Sequence, residues 1–283
     1  MIVWLASYPK SGNTLVRSML AAYFFSNDGI YDFDLIKNIK QFPQNALFKK
    51  MGINVNNDED LIKNYINVQE QINIKNSIQF LKTHSYLFNI NNNAFTDLKN
   101  SIGVIYIVRD PRNVVTSWAN FSNTSLENAA NVLIKTYKFG GDKNNSTDLD
   151  TTVFVGTWSQ NYNSWKSFKH QKRYLLIKYE DLINNRDIAL HKILKFIYGL
   201  NGTKLEINQK KFDNVVETTS FERMKNLERT KGFFEAKLDL KTGKKIPFFN
   251  LGEKNDWKKF LNVRISNKIE KAFKNEMIEL GYL

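Results

Sequence analysis

The first βα unit constrains the fold most. Ile2 to Ala6 is a short apolar run with the character of a buried strand, and behind it Leu15, Met19 and Tyr23 recur at i, i+4 and i+8 with Val16, Leu20 and Phe24 beside them. That is one wide apolar helix face following a strand. The pattern repeats. Ile78 to Lys82, Val104 to Val108 and Tyr174 to Tyr179 are further turn-bounded strand runs. Helical spacing follows Pro111 (Val114, Val115, Trp118) and fills the end of the chain, where Ile265, Ile269, Phe273, Met277 and Leu280 make a stripe. Such alternation predicts an α/β fold with a mostly parallel sheet flanked by helices.

Composition narrows the class. The chain has 283 residues, 42% apolar and 13% aromatic, which is enough to build a core and excludes disorder as the main state. At roughly 150 residues per domain this is one large domain or two small ones. With no linker and no repeat in view, a single domain over 1–283 is the economical reading. Cysteine is absent, which removes disulfides, thiolate nucleophiles and thiolate metal sites. The histidines His84, His170 and His191 form no i,i+4 pair, so no metal site is expected and any metal would need carboxylates. No apolar stretch approaches the 18 or so residues of a membrane span, and the opening apolar run is too short for a signal peptide. A cytoplasmic protein without a membrane span is expected. The stretch Gly140 to Asp150 reads as a loop, and the Lys-rich Glu235 to Pro247 as a loop that could cover a site.

Lys+Arg outnumber Asp+Glu by 41 to 28, a formal charge of +13. This is either a basic surface alone or the mark of an anionic partner. Two segments offer anion sites. Tyr8-Pro-Lys-Ser-Gly-Asn-Thr14 lies between strand and helix, where helix N–H groups and the helix dipole favour negative charge. Lys10 adds a cation, Gly12 allows close backbone approach, and Ser11, Asn13 and Thr14 can donate to phosphate oxygens or simply cap the helix. Lys10 precedes the glycine, so this is not a Walker A motif. The second segment follows the third strand, where Arg109 leaves the strand end, Pro111 starts a helix and Ser117 lies two turns inside it. Arg109 is there either an anion clamp or half of a surface pair with Asp110 or Asp181.

These residues carry a resemblance. Tyr8 to Thr14 resembles the 5′-phosphosulfate loop of the cytosolic-type sulfotransferases, and Arg109 with Ser117 resembles that family's 3′-phosphate motif. In the same order along the chain, Leu81-Lys-Thr-His84, Gly156-Thr-Trp158, Tyr179-Glu-Asp181, Thr219-Ser-Phe-Glu-Arg-Met224 and Phe249-Asn-Leu-Gly-Glu-Lys-Asn-Asp-Trp257 resemble further family segments. The resemblance implies a P-loop NTPase-like three-layer sandwich. It also implies sulfuryl transfer from the co-substrate 3′-phosphoadenosine 5′-phosphosulfate (PAPS) to a hydroxyl or amine of a small-molecule or glycan acceptor, without a metal.

Residue by residue, it implies Lys10, Ser11, Gly12, Asn13 and Thr14 on the 5′-phosphosulfate and Arg109 and Ser117 on the 3′-phosphate. Tyr179, Thr219, Phe221, Met224 and Gly252 would surround the adenine and its ribose phosphate. His84 would be the base, with Lys10 and Lys82 stabilising the leaving phosphate. Leu15 stands where the family commonly has Trp, and Asn250-Leu251 where it has Arg-Lys, with Arg229, Lys231, Lys244 and Lys254 as candidate replacements. The dimer segment appears only in part near Lys258 to Asn267, leaving monomer or homodimer. A kinase-like phosphotransferase and a catalytically inactive nucleotide binder remain the alternatives. No basic run interleaved with aromatics supports a nucleic-acid partner.

Overall fold

The computed structural model describes residues 1–74, 77–140, 151–239 and 242–283. Its centre is a five-stranded, all-parallel sheet built from β1 (Ile2–Ser7), β2 (Lys40–Gln41), β3 (Gln79–Thr83), β4 (Ser101–Val108) and β5 (Tyr174–Lys178), in the order β2-β3-β1-β4-β5. Four of these are the strand runs read from the sequence. The edge strand β2 has no apolar run to announce it, since Lys40 and Gln41 are polar and only brush the sheet opposite Leu81 and Lys82. Tyr179 lies past the end of β5 and opens the next helix, Tyr179–Asn184.

Alternation along β1 divides the core into two layers. Ile2, Trp4 and Ala6 face one side with Val104, Tyr106 and Val108, while Val3 and Leu5 face the other with Ile105 and Ile107. On the first side Trp4 meets Phe95 at 5.1 Å and Phe42 at 5.5 Å between ring centroids, and its indole N–H donates to Ser101 Oγ at 2.7 Å. The second side is covered by α1 (Asn13–Phe25), whose Leu15, Val16, Met19 and Leu20 are buried, and by a helix over Arg186–Leu200. α2 (Pro111–Ser122) follows β4 and sends Val114, Val115 and Trp118 into the first layer. The C-terminal stripe is buried there as well, but in two helices, Val263–Ala272 and Lys274–Glu279, divided at Phe273. This is the three-layer P-loop-like architecture. It places the carboxyl ends of β1, β3, β4 and β5 at one edge, where parallel sheets hold ligands. No helix among the described residues is long and apolar enough to cross a membrane.

Candidate active site

A cavity of about 710 Å³ opens at that edge, within the usual range for small-molecule sites. Its floor is the turn after β1. Lys10 (φ 68°) and Gly12 (φ 99°) both adopt the left-handed region, which folds the chain back so that Gly12 becomes the N-cap of α1. No side chain caps that helix. The first backbone N–H groups of α1 therefore receive no side-chain cap, so the capping use of Ser11, Asn13 and Thr14 is not taken up among the described residues. The Asn13 amide turns inward instead, donating to Leu5 O at 2.8 Å and Ser7 Oγ at 3.1 Å. Ser11 does not line the cavity, and its Oγ is buried with no hydrogen-bond partner among the described residues. Thr14 and Leu15 line the cavity.

Gly12 also carries an aromatic wall. A Cβ there would stand 2.5 Å from Tyr179 Cδ2, so the ring packs directly on the glycine. On that ring lies the Arg109 guanidinium, its carbon 4.0 Å from the centroid, and Arg109 Nη1 donates to Lys10 O at 3.2 Å. Arg109 Nε is buried without a partner. Asp110 is taken by Arg112 at 2.7 Å, which disposes of an Arg109–Asp110 pair. Gly12→Ala should lower stability by about 1–3 kcal/mol through left-handed strain and displacement of Tyr179. Thermal unfolding reads this directly, and an unchanged midpoint would contradict the packing described.

Of the other residues singled out in the sequence, Ser117, Phe221, Met224 and Gly252 line the same cavity. Gly252 (φ 54°) is pressed against Phe221, whose ring carbons lie 2.6 Å from where a Cβ would be. Thr219 does not line the cavity: it is fully buried and its hydroxyl donates to Val215 O at 2.6 Å. Arg229, Lys231, Lys244 and Lys254 are likewise not among the lining residues. Lys231 pairs with Asp32, and Arg229 bonds Asn226 at 2.9 Å. Lys225 instead reaches the altered segment, donating to Asn250 O at 3.3 Å.

His84 sits just beyond β3, half buried, with Nδ1 2.9 Å from Ser7 O and 3.2 Å from Ser7 Oγ. A carbonyl only accepts, so Nδ1 carries the proton and Nε2 keeps its lone pair. Asn161 fixes the backbone here, donating to His84 O at 2.9 Å while accepting from Tyr106 at 2.8 Å. Burial, then the nearby Lys82 charge, push the imidazole pKa down to about 3, so His84 is neutral at physiological pH. Lys10 Nζ rests between the rings of Phe121 (4.1 Å) and Phe248 (4.2 Å). Burial, then Arg109, bring its pKa down to about 7. Lys82 falls to about 8, mainly through burial.

Two partners in this site were not singled out in the sequence. Glu235 receives Arg17 Nη1 at 2.6 Å and lies 3.7 Å from Lys82 Nζ. Despite burial, Lys82 and Arg17 hold its pKa down at about 2. Arg17 is an ion inside the apolar face of α1, a signal in plain view. Glu235 belongs to the stretch read as a covering loop, of which Glu235 and Lys237 line the cavity, with Phe234 just ahead of it lining the cavity as well. Residues 240 and 241 of that stretch, and 141–150 of the other expected loop, lie outside the described residues.

A parallel sheet with an uncapped helix end, clustered cations and an oriented imidazole at its carboxyl edge has the layout of the ligand site of an α/β enzyme. Residues 2–281 match the sulfotransferase domain, and the chain belongs to the sulfotransferase family of enzymes. It is 24% identical to sulfotransferase 1A1 of Rattus norvegicus over 285 residues, covering 98% of this chain and 85% of that protein. Sulfotransferase 1E1 of Mus musculus is 22% identical over 275 residues, covering 96% and 82%. Among solved structures, mouse sulfotransferase SULT7A1 complexed with PAP superposes with a TM-score of 0.55 at 16% identity, covering 98% of this chain and 84% of that one. Retinol dehydratase in a complex with retinol and PAP gives 0.58 at 16% identity, covering 98% and 81%.

Proposed function

We propose that this enzyme transfers the sulfuryl group of PAPS to a hydroxyl of a small-molecule or glycan acceptor, with His84 as base and lysines in place of a metal. The observation that carries the reading is the convergence on one cavity of the uncapped start of α1, the Lys10 ammonium and a neutral His84 with Nε2 free. Arg109 Nε, buried without a partner among the described residues on a side chain that lines the cavity, fits a ligand rich in anionic oxygens. The PAP-bound relatives are consistent with the same donor.

In this reading the α1 N-terminus, from Lys10 to Thr14, holds the 5′-phosphosulfate. Arg109 and Ser117 hold the 3′-phosphate, and Tyr179, Phe221, Met224 and Gly252 enclose the adenine end, with Thr219 behind them. PAPS supplies an activated sulfuryl group whose leaving group is a phosphate. His84 Nε2 takes the acceptor's proton as its oxygen attacks sulfur. Lys10, with Lys82, meets the negative charge that grows on the bridging oxygen. A conjugate acid of pKa about 3 is that of a weak base. The negative charge brought by the donor raises it.

The test is transfer of labelled sulfur from PAPS onto acceptor hydroxyls in the presence of a chelator. Retained transfer is expected. Loss on chelation, restored by Mg²⁺, would favour the kinase-like alternative.

The lysines add a pH prediction. Their protonated forms bind the anion, so affinity for adenosine 3′,5′-bisphosphate should fall as pH rises through about 7 and 8, the values for Lys10 and Lys82. Binding near pH 8 should then take up protons, because the bound anion raises both pKa values. Calorimetry in buffers of different ionisation enthalpy measures that uptake. No uptake would mean that neither lysine meets the ligand.

A further inference from the structure

The cavity carries positive charge at two ends, and the donor accounts for only one. Sheet order separates them: Arg109 and Tyr179 stand on the β4–β5 side of β1, whereas Lys82 and His84 end β3, with β2 outside it. Lys40 pairs with Leu81 and Gln41 with Lys82, and Phe42 N donates to Lys82 O at 2.8 Å. Arg17 Nη2 pins the segment through Ile39 O at 3.0 Å. Lys37, Lys40, Gln41 and Gln44 therefore line the cavity on the side of His84 away from Arg109. Aromatic side chains, Phe139 and Phe234, line it too, with the Phe139 ring 6.5 Å from His84.

The charge at this end is unbalanced. Glu235 is the only carboxylate among the described lining residues, and Arg17 and Lys82 already match it. Lys37 shares its charge with Asp34 at 2.6 Å, a residue that does not line the cavity, and Lys40 has no ion pair among the described residues. An apolar phenol or steroid placed here would cover two amides and two ammonium groups without replacing their water contacts, which costs free energy. A polyhydroxylated anion would satisfy them.

We propose that the acceptor is an acidic sugar: a sugar hydroxyl at His84, with a carboxylate, phosphate or sulfate of the same molecule held by Lys37 and Lys40. The amides of Gln41 and Gln44 engage its other hydroxyls, and Phe139 and Phe234 receive its C–H faces. The inference rests on the sulfuryl-transfer reading. In the step, the acceptor oxygen bonds to sulfur, the bond from sulfur to the bridging phosphate oxygen breaks, and the hydroxyl proton passes to His84 Nε2.

The experiment pairs acidic with neutral acceptors and uses labelled PAPS: para-nitrophenyl glucuronide against para-nitrophenyl glucoside, and methyl glucoside phosphate and sulfate esters against methyl glucoside. The three acidic members separate carboxylate from phosphate and sulfate recognition. At least one should be preferred about tenfold in kcat/KM, since each exposed lysine changes an equilibrium by up to about fivefold. The preference should shrink with added salt. In the Lys37→Ala/Lys40→Ala double variant it should vanish, with adenosine 3′,5′-bisphosphate binding unchanged. Equal use of acidic and neutral members, no transfer to any acidic member, or a preference surviving in the variant would overturn the proposal; the last would leave Lys40 as a guard of the sheet edge. Failure of the wild type to bind the bisphosphate would instead strike the donor reading.

Discussion

His84→Ala should fold and bind adenosine 3′,5′-bisphosphate as the wild type does, yet lose roughly a hundredfold to ten-thousandfold in sulfuryl transfer. The separation follows from geometry. Among the described residues the imidazole bonds the loop through Nδ1, at Ser7, while Nε2 makes no hydrogen bond. The pH profile carries a second expectation. Histidine ordinarily titrates near 6.5, but burial and the Lys82 charge depress this one to about 3. Protonation removes the base, so the rate governed by His84 should fall on the acid side. Bound donor raises the pKa, so at donor saturation the wild type should show an acid limb above about pH 3 that disappears from the residual activity of His84→Ala, which pre-steady-state transfer can establish. An acid limb unchanged by the substitution, or full activity in the variant, would return His84 to a structural role.

Lys10→Ala should cost about a hundredfold or more in turnover, because in the proposed reading its charge acts on an oxygen whose negative charge grows only in the transition state. Stability should move the other way or not at all. The folded-state pKa of Lys10, about 7, is depressed below the unfolded 10.5. Between those values the unfolded chain binds the extra proton, so this ammonium costs stability at neutral pH and the wild-type fold gains as pH rises through that window. Removing it relieves the cost and forfeits the contacts with Phe121 and Phe248. A thermal midpoint at or slightly above that of the wild type at pH 7 is expected, beside the collapse of transfer. A clear fall in the midpoint with turnover preserved would make Lys10 a structural residue.

What the sequence disclosed was decided by range. The turn after β1 was legible because strand, loop and helix are contiguous and each has its own local signal: Ile2 to Ala6, Gly12, and the Leu15 to Tyr23 face. The same holds for Arg109 ahead of Pro111. Side-chain direction was not legible. The Asn13 amide goes to Leu5 and Ser7, and the Thr219 hydroxyl to Val215, through contacts set by tertiary packing. Glu235 has partners at positions 17 and 82, and no spacing rule links residues that far apart. The edge strand was hidden for a related reason: Lys40 and Gln41 bury too little to leave a pattern. The C-terminal stripe kept its helical period across the break at Phe273, because both short helices press the same kind of face on the first core layer.

The most direct test of the account is thermal unfolding with adenosine 3′,5′-bisphosphate set against AMP at equal concentration. Arg109 and Ser117 are assigned to the 3′-phosphate, which AMP lacks, while Lys10 and the start of α1 serve the 5′ group that both possess. At a hundred times its dissociation constant the bisphosphate should add about 2.7 kcal/mol of stability, with AMP adding far less. Equal stabilisation by the two nucleotides, or none by either, would contradict a PAPS-dependent site in this cavity.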